Sequence, residues 1–180
     1  GCSNSEENLD TTERENTKSS EEASKQYKVV DDRGMEITFN SVPETVVSLR
    51  PSNTEILFEL GVGDKIIGAN EYDNYPEEAK TKETVGARNM DAEKILSLEP
   101  DVVFVTDYHY NHSNNVLDQF RASGIDVVVI GDATSFVDAY RQIRMIARAT
   151  GTEEKAEELI ADMESRLETI RQKAKSIAEP

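Results

Sequence analysis

Val46-Val47-Ser48-Leu49-Arg50-Pro51-Ser52-Asn53-Thr54-Glu55 is the stretch that decides the fold. The apolar run Val46–Leu49 passes with almost no linker into a segment that carries helix-start signals. Ser52 with Glu55 three residues later predicts a capping box, and Gly61 stands where a helix over about residues 53–60 should stop. A strand feeding straight into a helix brings the strand's carboxyl end and the helix's free N–H groups to one point. Open α/β sheets bind ligands at that edge.

Working outward, strand and helix signals alternate. Tyr27–Val30 and Glu36–Phe39 flank the turn-rich Asp31-Asp32-Arg33-Gly34, which predicts an opening β-hairpin. Apolar runs at Lys65–Ala69, Val102–Val105 and Val127–Ile130 predict further strands; the last two are β-branched and unbroken, as buried parallel strands are. Helical spacing covers about 91–98, 113–123 and 135–149, the last with Phe136, Tyr140, Ile143 and Ala147 on one stripe. Pro100 ends the helix before it. This alternation predicts an α/β, Rossmann-like lobe with a mostly parallel sheet flanked by helices. From Thr152 to Ala178 a final helical stripe runs through Ala156, Leu159, Ile160, Met163, Leu167, Ile170, Ala174 and Ile177. Such a helix would be about 39 Å long, more than one small lobe can cover. A coiled-coil seam is the alternative reading of that stripe.

Composition removes several function classes. One Cys in 180 residues allows no internal disulfide and no thiolate zinc cluster. No apolar run approaches the roughly 18 residues of a membrane span. The formal net charge of −16 argues against a nucleic-acid partner, because phosphate binding needs a basic face. Residues 1–28 contribute only −3 of it, so the acidity belongs to the folded part. Enzyme signatures are absent from the sequence. There is no Gly-x-Gly-x-x-Gly after a strand and no phosphate-binding Gly-x-x-x-x-Gly-Lys-Ser/Thr loop, and no Ser sits in a nucleophile elbow. The expectation is a binding protein and not an enzyme, with a Rossmann-like enzyme or regulatory domain as the distant alternative.

Candidate ligand contacts fall on the loops after the strands: Arg50–Asn53, Asn70–Pro76, Gly86–Met90 and Thr106–Asn115. These loops carry Arg50, Tyr72, Tyr75, Arg88, Tyr108, His109 and Tyr110. Aromatic faces and guanidinium forks suit a large, partly polar ligand. Two of them have plain structural readings: Tyr75 packed under its loop before Pro76, and Arg88 paired with a nearby carboxylate. His109 and His112, beside Asp107, invite a metal-site reading. In a loop, however, that spacing fixes no common face and no further strong ligand is near, so no metal site is assigned.

Three further segments carry a family resemblance. They are Leu60-Gly61-Val62-Gly63-Asp64-Lys65-Ile66-Ile67-Gly68, then Tyr72-Asp73-Asn74-Tyr75-Pro76, then Glu93-Lys94-Ile95-Leu96-Ser97-Leu98-Glu99-Pro100-Asp101. In that order, together with Pro51–Glu55, they resemble the amino-terminal lobe of the iron-siderophore/cobalamin (class III) ABC-transporter substrate-binding proteins, from about residue 28 to 170. The resemblance is strongest to the cobalamin-binding members. It implies an amino-terminal ligand-binding lobe over 27–151 and, over 152–178, a spine helix leading to a second lobe beyond Pro180. It implies a monomer that carries a cobalamin-type chelate to the membrane subunits of an ABC importer, with ferric siderophore or haem as alternatives. No cofactor of the protein's own is implied, since any metal stays inside the chelate. The ligand-binding residues it implies are Pro51, Ser52, Tyr72 and Thr106, to which the loop reading adds Arg50, Arg88 and Tyr108. Thr106 departs from cobalamin binders that place an aromatic there. Glu93 should project from the first turn of its helix while Ala92, Ile95 and Leu96 pack inward. A carboxylate there is worth about 0.3–1 kcal/mol to the helix by itself. In the family this position resembles a docking post that meets arginines of the transporter.

Gly1-Cys2-Ser3 reads as the trimmed remnant of a bacterial lipoprotein signal, with Cys2 as the lipid anchor; a free surface thiol is the other reading. Two acyl chains are what stable membrane attachment needs. Residues 1–26 are too polar to bury anything and suit a disordered tether. The expected address is the extracytoplasmic face of the bacterial cell membrane.

Overall fold

The computed structural model describes residues 25–178. The expectation for Cys2 and nearly all of the proposed tether lies outside them. The chain opens with an antiparallel hairpin, β1 (Tyr27–Val30) and β2 (Glu36–Phe39), and then alternates. In order come β3 (Val46–Ser48), α1 (Pro51–Glu59), β4 (Ile66–Ala69), α2 (Ala92–Leu98), β5 (Val102–Thr106), α3 (Asp107–His112), α4 (Asn114–Ala122), β6 (Asp126–Ile130), α5 (Phe136–Thr150) and α6 (Glu153–Ala178). The four later strands form one parallel sheet in the order β4-β3-β5-β6. The α/β, Rossmann-like architecture expected from the alternation is what the chain adopts.

Side chains alternate across the sheet and so build two cores. Val102 and Phe104 of β5 join Leu57 of α1, Ile143 and Ile146 of α5, and Ile160 of α6. Val103 and Val105 point the other way, onto Ile95 of α2 and Leu117 and Phe120 of α4. All of these are at most 4% exposed. Full burial of such a side chain is worth roughly 1.5–3 kcal/mol, which is why an unbroken β-branched run belongs in the middle of a sheet covered on both faces.

The hairpin shields the outer edge of β6. Val129 N–H donates to the Asp31 carboxylate at 3.2 Å, and Asp32 N–H donates to Val129 O at 3.0 Å. Asp31 also accepts from Arg33 and Met35 N–H, so one buried carboxylate shapes the turn and pins it to the sheet. Tyr27 and Phe39 stack at 5.3 Å, and the Tyr27 hydroxyl donates to Ala149 O.

Several local expectations are corrected. No capping box forms at Ser52. Arg50 is the N-cap of α1 and Pro51 occupies its first turn, without a side-chain cap. Proline lacks the N–H that the first turn leaves unpaired and already has helical φ, so the helix begins ahead of Ser52. The other end behaves as expected: Gly61 has φ +82°, and Gly61 and Val62 N–H donate to Phe58 and Leu57 O, a Schellman closure. Residues 107–112, expected in a loop, are helical because Thr106 caps them; a break at Ser113 separates α3 from α4. Phe136, placed on the buried stripe, is 56% exposed, because Ser135 caps α5 and leaves its first turn beyond the sheet.

Glu93 is exposed on the first turn of α2, with Ile95 buried and Ala92 and Leu96 half-buried as expected. Asp91 caps this helix by accepting from Lys94 N–H. Along α6 only Ala156 and Ile160 are buried. Ile170 is 63% and Ile177 82% exposed, and Ala174 is exposed between them. The long helix therefore carries an apolar stripe beyond the reach of the lobe.

Candidate functional site

The carboxyl ends of β3, β4 and β5 converge with two loops around a cleft of about 770 Å³. Leu49, Arg50 and Pro51 come from the β3–α1 junction, and Asn70, Glu71 and Tyr72 from the loop after β4. Ala87, Arg88 and Asn89 lie on the loop before α2. Thr106, Asp107, Tyr108 and His109 form the β5–α3 junction, and Asp132 follows β6. Of the residues singled out in the sequence, Arg50, Pro51, Tyr72, Arg88, Thr106 and Tyr108 thus line one depression. Ser52 does not. It faces a neighbouring groove between α1, α5 and α6, floored by Ile56, Ile143, Leu159 and Met163.

Arg50 braces this edge. Its guanidinium donates to Gly131 O at 2.8 Å and pairs with Asp132 at 3.0 Å, with the side chain 19% exposed. Arg88 is exposed and forms no ion pair among the described residues. Its guanidinium carbon lies 5.3 Å from the Tyr108 ring centre, and Tyr108 lies 4.4 Å from His112. Tyr72 is 69% exposed at the rim. Tyr75, expected under its loop, also faces solvent, since Asp73 takes the buried position in that segment. Tyr110 turns away from the cleft and lies under the Arg33 guanidinium at 4.0 Å.

His109 has a structural duty that the sequence did not disclose. It is 1% exposed, and both ring nitrogens are engaged. Nε2 faces Ala87 O at 2.7 Å, and a carbonyl can only accept, so Nε2 carries the proton. Nδ1 faces Thr106 N–H at 3.1 Å, which can only donate, so Nδ1 is bare. The ring is therefore neutral. Burial pushes its pKa down, the Ala87 hydrogen bond opposes this, and the Arg50 charge adds to the lowering. His109 N–H and Thr106 Oγ1 complete a reciprocal capping box, so the Thr106 hydroxyl is committed to α3. The cap signal, Thr three residues before a hydrogen-bonding side chain, was present; a His in place of Glu or Gln concealed it. His109 and His112 share a helix, with the first buried and the second exposed. Among the described residues no group of three or more His, Cys, Asp or Glu side chains could hold a metal ion.

A second buried network lies behind Tyr72. Thr54 Oγ1 approaches Asp73 Oδ2 at 2.7 Å and Ser48 Oγ at 2.8 Å. Asn70 N–H donates to the same Asp73 oxygen at 3.1 Å, and Asn70 Nδ2 donates to Leu49 O at 3.0 Å. Burial pushes the Asp73 carboxyl up, against the lowering effect of its Thr54 and Asn70 hydrogen bonds.

The chain is thus an α/β lobe with a ligand-sized cleft at the carboxyl ends of its parallel strands. Residues 46–180 match the family described as periplasmic binding protein, and the chain belongs to that family. It is 41% identical over 148 residues to the uncharacterised ABC transporter substrate-binding lipoprotein YvrC of Bacillus subtilis, covering 82% of this chain and 47% of the relative. It is 30% identical over 129 residues to the vitamin B12-binding protein of Yersinia pestis, covering 71% of this chain and 45% of that protein. Among solved structures, the periplasmic heme-binding protein of Roseiflexus sp. RS-1 superposes with a TM-score of 0.67 at 32% identity, covering 76% of this chain and 52% of the other. The chain spans about half the length of the curated relatives it matches.

Proposed function

We propose that the chain is the amino-terminal lobe of a lipid-anchored substrate-binding protein that captures a metal chelate outside the membrane and hands it to an ABC importer. The observation that carries this reading is the cleft at the strand ends, where aromatic faces (Tyr72, Tyr108) stand beside the exposed Arg88 guanidinium, which forms no ion pair among the described residues. A large ligand with flat apolar surfaces and polar or anionic edges suits such a wall. A metal held within its chelate needs no ligand from the protein. In this reading residues 27–151 are the binding lobe and 152–178 the spine. The exposed stripe Ile170–Ile177 supports a second lobe that covers it and closes the cleft from the other side. Glu93, exposed at the start of α2, is the docking post for the membrane subunits, and Cys2 carries the lipid.

A cobalamin-type ligand is the leading assignment, supported by the likeness to the vitamin B12-binding protein. Haem or a ferric siderophore is the second reading, favoured by the likeness to the heme-binding structure and by Thr106 where an aromatic would suit a corrin. Titration of the two-lobed protein with cyanocobalamin, hemin and a ferric hydroxamate tests both. Saturable 1:1 binding of one ligand, at least about tenfold tighter than to the 180-residue chain, is expected, a difference of about 1.4 kcal/mol or more. Binding of none would overturn the reading.

A further inference from the structure

We infer that Asp73 is a positioning residue that locks the two walls of the cleft to each other, setting Tyr72 relative to Arg50; this rests on the binding reading above. Asp73 is 7% exposed, although it sits in a loop whose Tyr72 and Tyr75 are largely in solvent. A buried carboxylate is expensive unless it is held by hydrogen bonds, and here they come from both walls. From α1 it takes the Thr54 hydroxyl at 2.7 Å, and from its own loop the Asn70 N–H at 3.1 Å. Thr54 also contacts Arg50 O and Ser48 Oγ, so the same hydroxyl touches the turn that aims Arg50. Asn70 ties back to Leu49 O and accepts from Tyr72 N–H at 2.8 Å, so the backbone of Tyr72 hangs from a residue that Asp73 holds.

The arrangement costs stability, which argues that position is its purpose. Asp73 Oδ1 is buried and finds no partner among the described residues. An apolar side chain would close the loop onto α1 without that penalty but would fix no register, because apolar contacts are not directional. Tyr72 is 69% exposed and has little packing of its own to hold it, so the hydrogen-bonded anchor behind it supplies the order.

The test compares Asp73→Ala with Asp73→Asn in the 180-residue chain, by amide hydrogen exchange and 15N relaxation. Asparagine keeps an oxygen acceptor for Thr54 and Asn70; alanine keeps none. In Asp73→Ala the Asn70 and Tyr72 amides should exchange at least ~tenfold faster and residues 71–75 become mobile, while Val103 in the core stays protected. Asp73→Asn should restore most of the protection. Thr54→Val removes the α1 side of the lock alone and should loosen the same amides if Asp73→Ala does not fold. A folded Asp73→Ala with unchanged Asn70 and Tyr72 amides would overturn the inference, as would an Asp73→Asn as loose as Asp73→Ala. The readout needs no ligand, so failure of cyanocobalamin and hemin to bind would sink the chelate reading and leave this test intact.

Discussion

Protonating His109 should unfasten the floor of the cleft. The buried ring accepts from Thr106 N–H through Nδ1 and donates to Ala87 O through Nε2, an arrangement open only to the neutral form. Burial lowers its pKa in the folded chain below the ordinary value of 6.5. Below pH 6.5 the unfolded chain therefore binds a proton that the folded chain refuses. The stability this group contributes is complete above pH 6.5 and is lost as pH falls toward the folded pKa. The slope reaches at most about 1.4 kcal/mol per pH unit. His109→Ala strands a buried N–H and a carbonyl at about 1–3 kcal/mol each and leaves a cavity, so a loss of at least about 2 kcal/mol, and up to about 6 kcal/mol from the stranded groups alone, is expected at pH 7.5. His109→Gln can still donate and accept but does not titrate. Urea unfolding of wild type and His109→Gln, followed by circular dichroism from pH 5 to 8, isolates the imidazole. Other titrating groups, including the raised Asp73 and Asp126, are common to both chains and cancel in the difference. The wild-type advantage over His109→Gln should shrink below pH 6.5. A difference independent of pH would refute the neutral-ring assignment.

Three further outcomes follow from other parts of the chain. Cys2→Ala should release the protein from the membrane fraction, and mass spectrometry of the extracted wild type should show a diacylglyceryl adduct; equal retention of the variant would remove the anchor proposal. Ile177→Asp should change the stability of the 180-residue chain by no more than about 0.5 kcal/mol, because that side chain is 82% exposed, whereas Ile160→Asp, at 2%, should cost more than about 3 kcal/mol in urea unfolding. Glu93→Arg should leave folding and chelate affinity intact and reduce uptake, since exposed charges steer encounter and register more than they add affinity; unchanged uptake with the charge-reversed two-lobed protein would return Glu93 to a helix-terminus role.

Much of this protein was determined by sequence alone, for local reasons. The apolar, mostly β-branched runs at Val102–Val105 and Val127–Ile130 signalled the buried strands that form there, and Gly61 stops α1 because φ +82° suits a residue without a side chain. Strand ends joined to helix starts put the cleft at one edge, and six of the seven singled-out contact residues lie on it. What sequence misjudged were competitions between local signals: Pro51 outbid Ser52 for the start of α1, and Thr106 capped a helix where a polar loop was expected. Tertiary structure decided which polar side chains face the cleft and which support it. Local partners, Thr106 for His109 and Asn70 for Asp73, do not announce burial by themselves; it is completed by Ala87, 22 residues back in the chain, and by Thr54, 19 residues back. Hydrogen bonds that cross between loops are properties of the assembled sheet edge, and only the packed sheet brings those groups within 3 Å of one another.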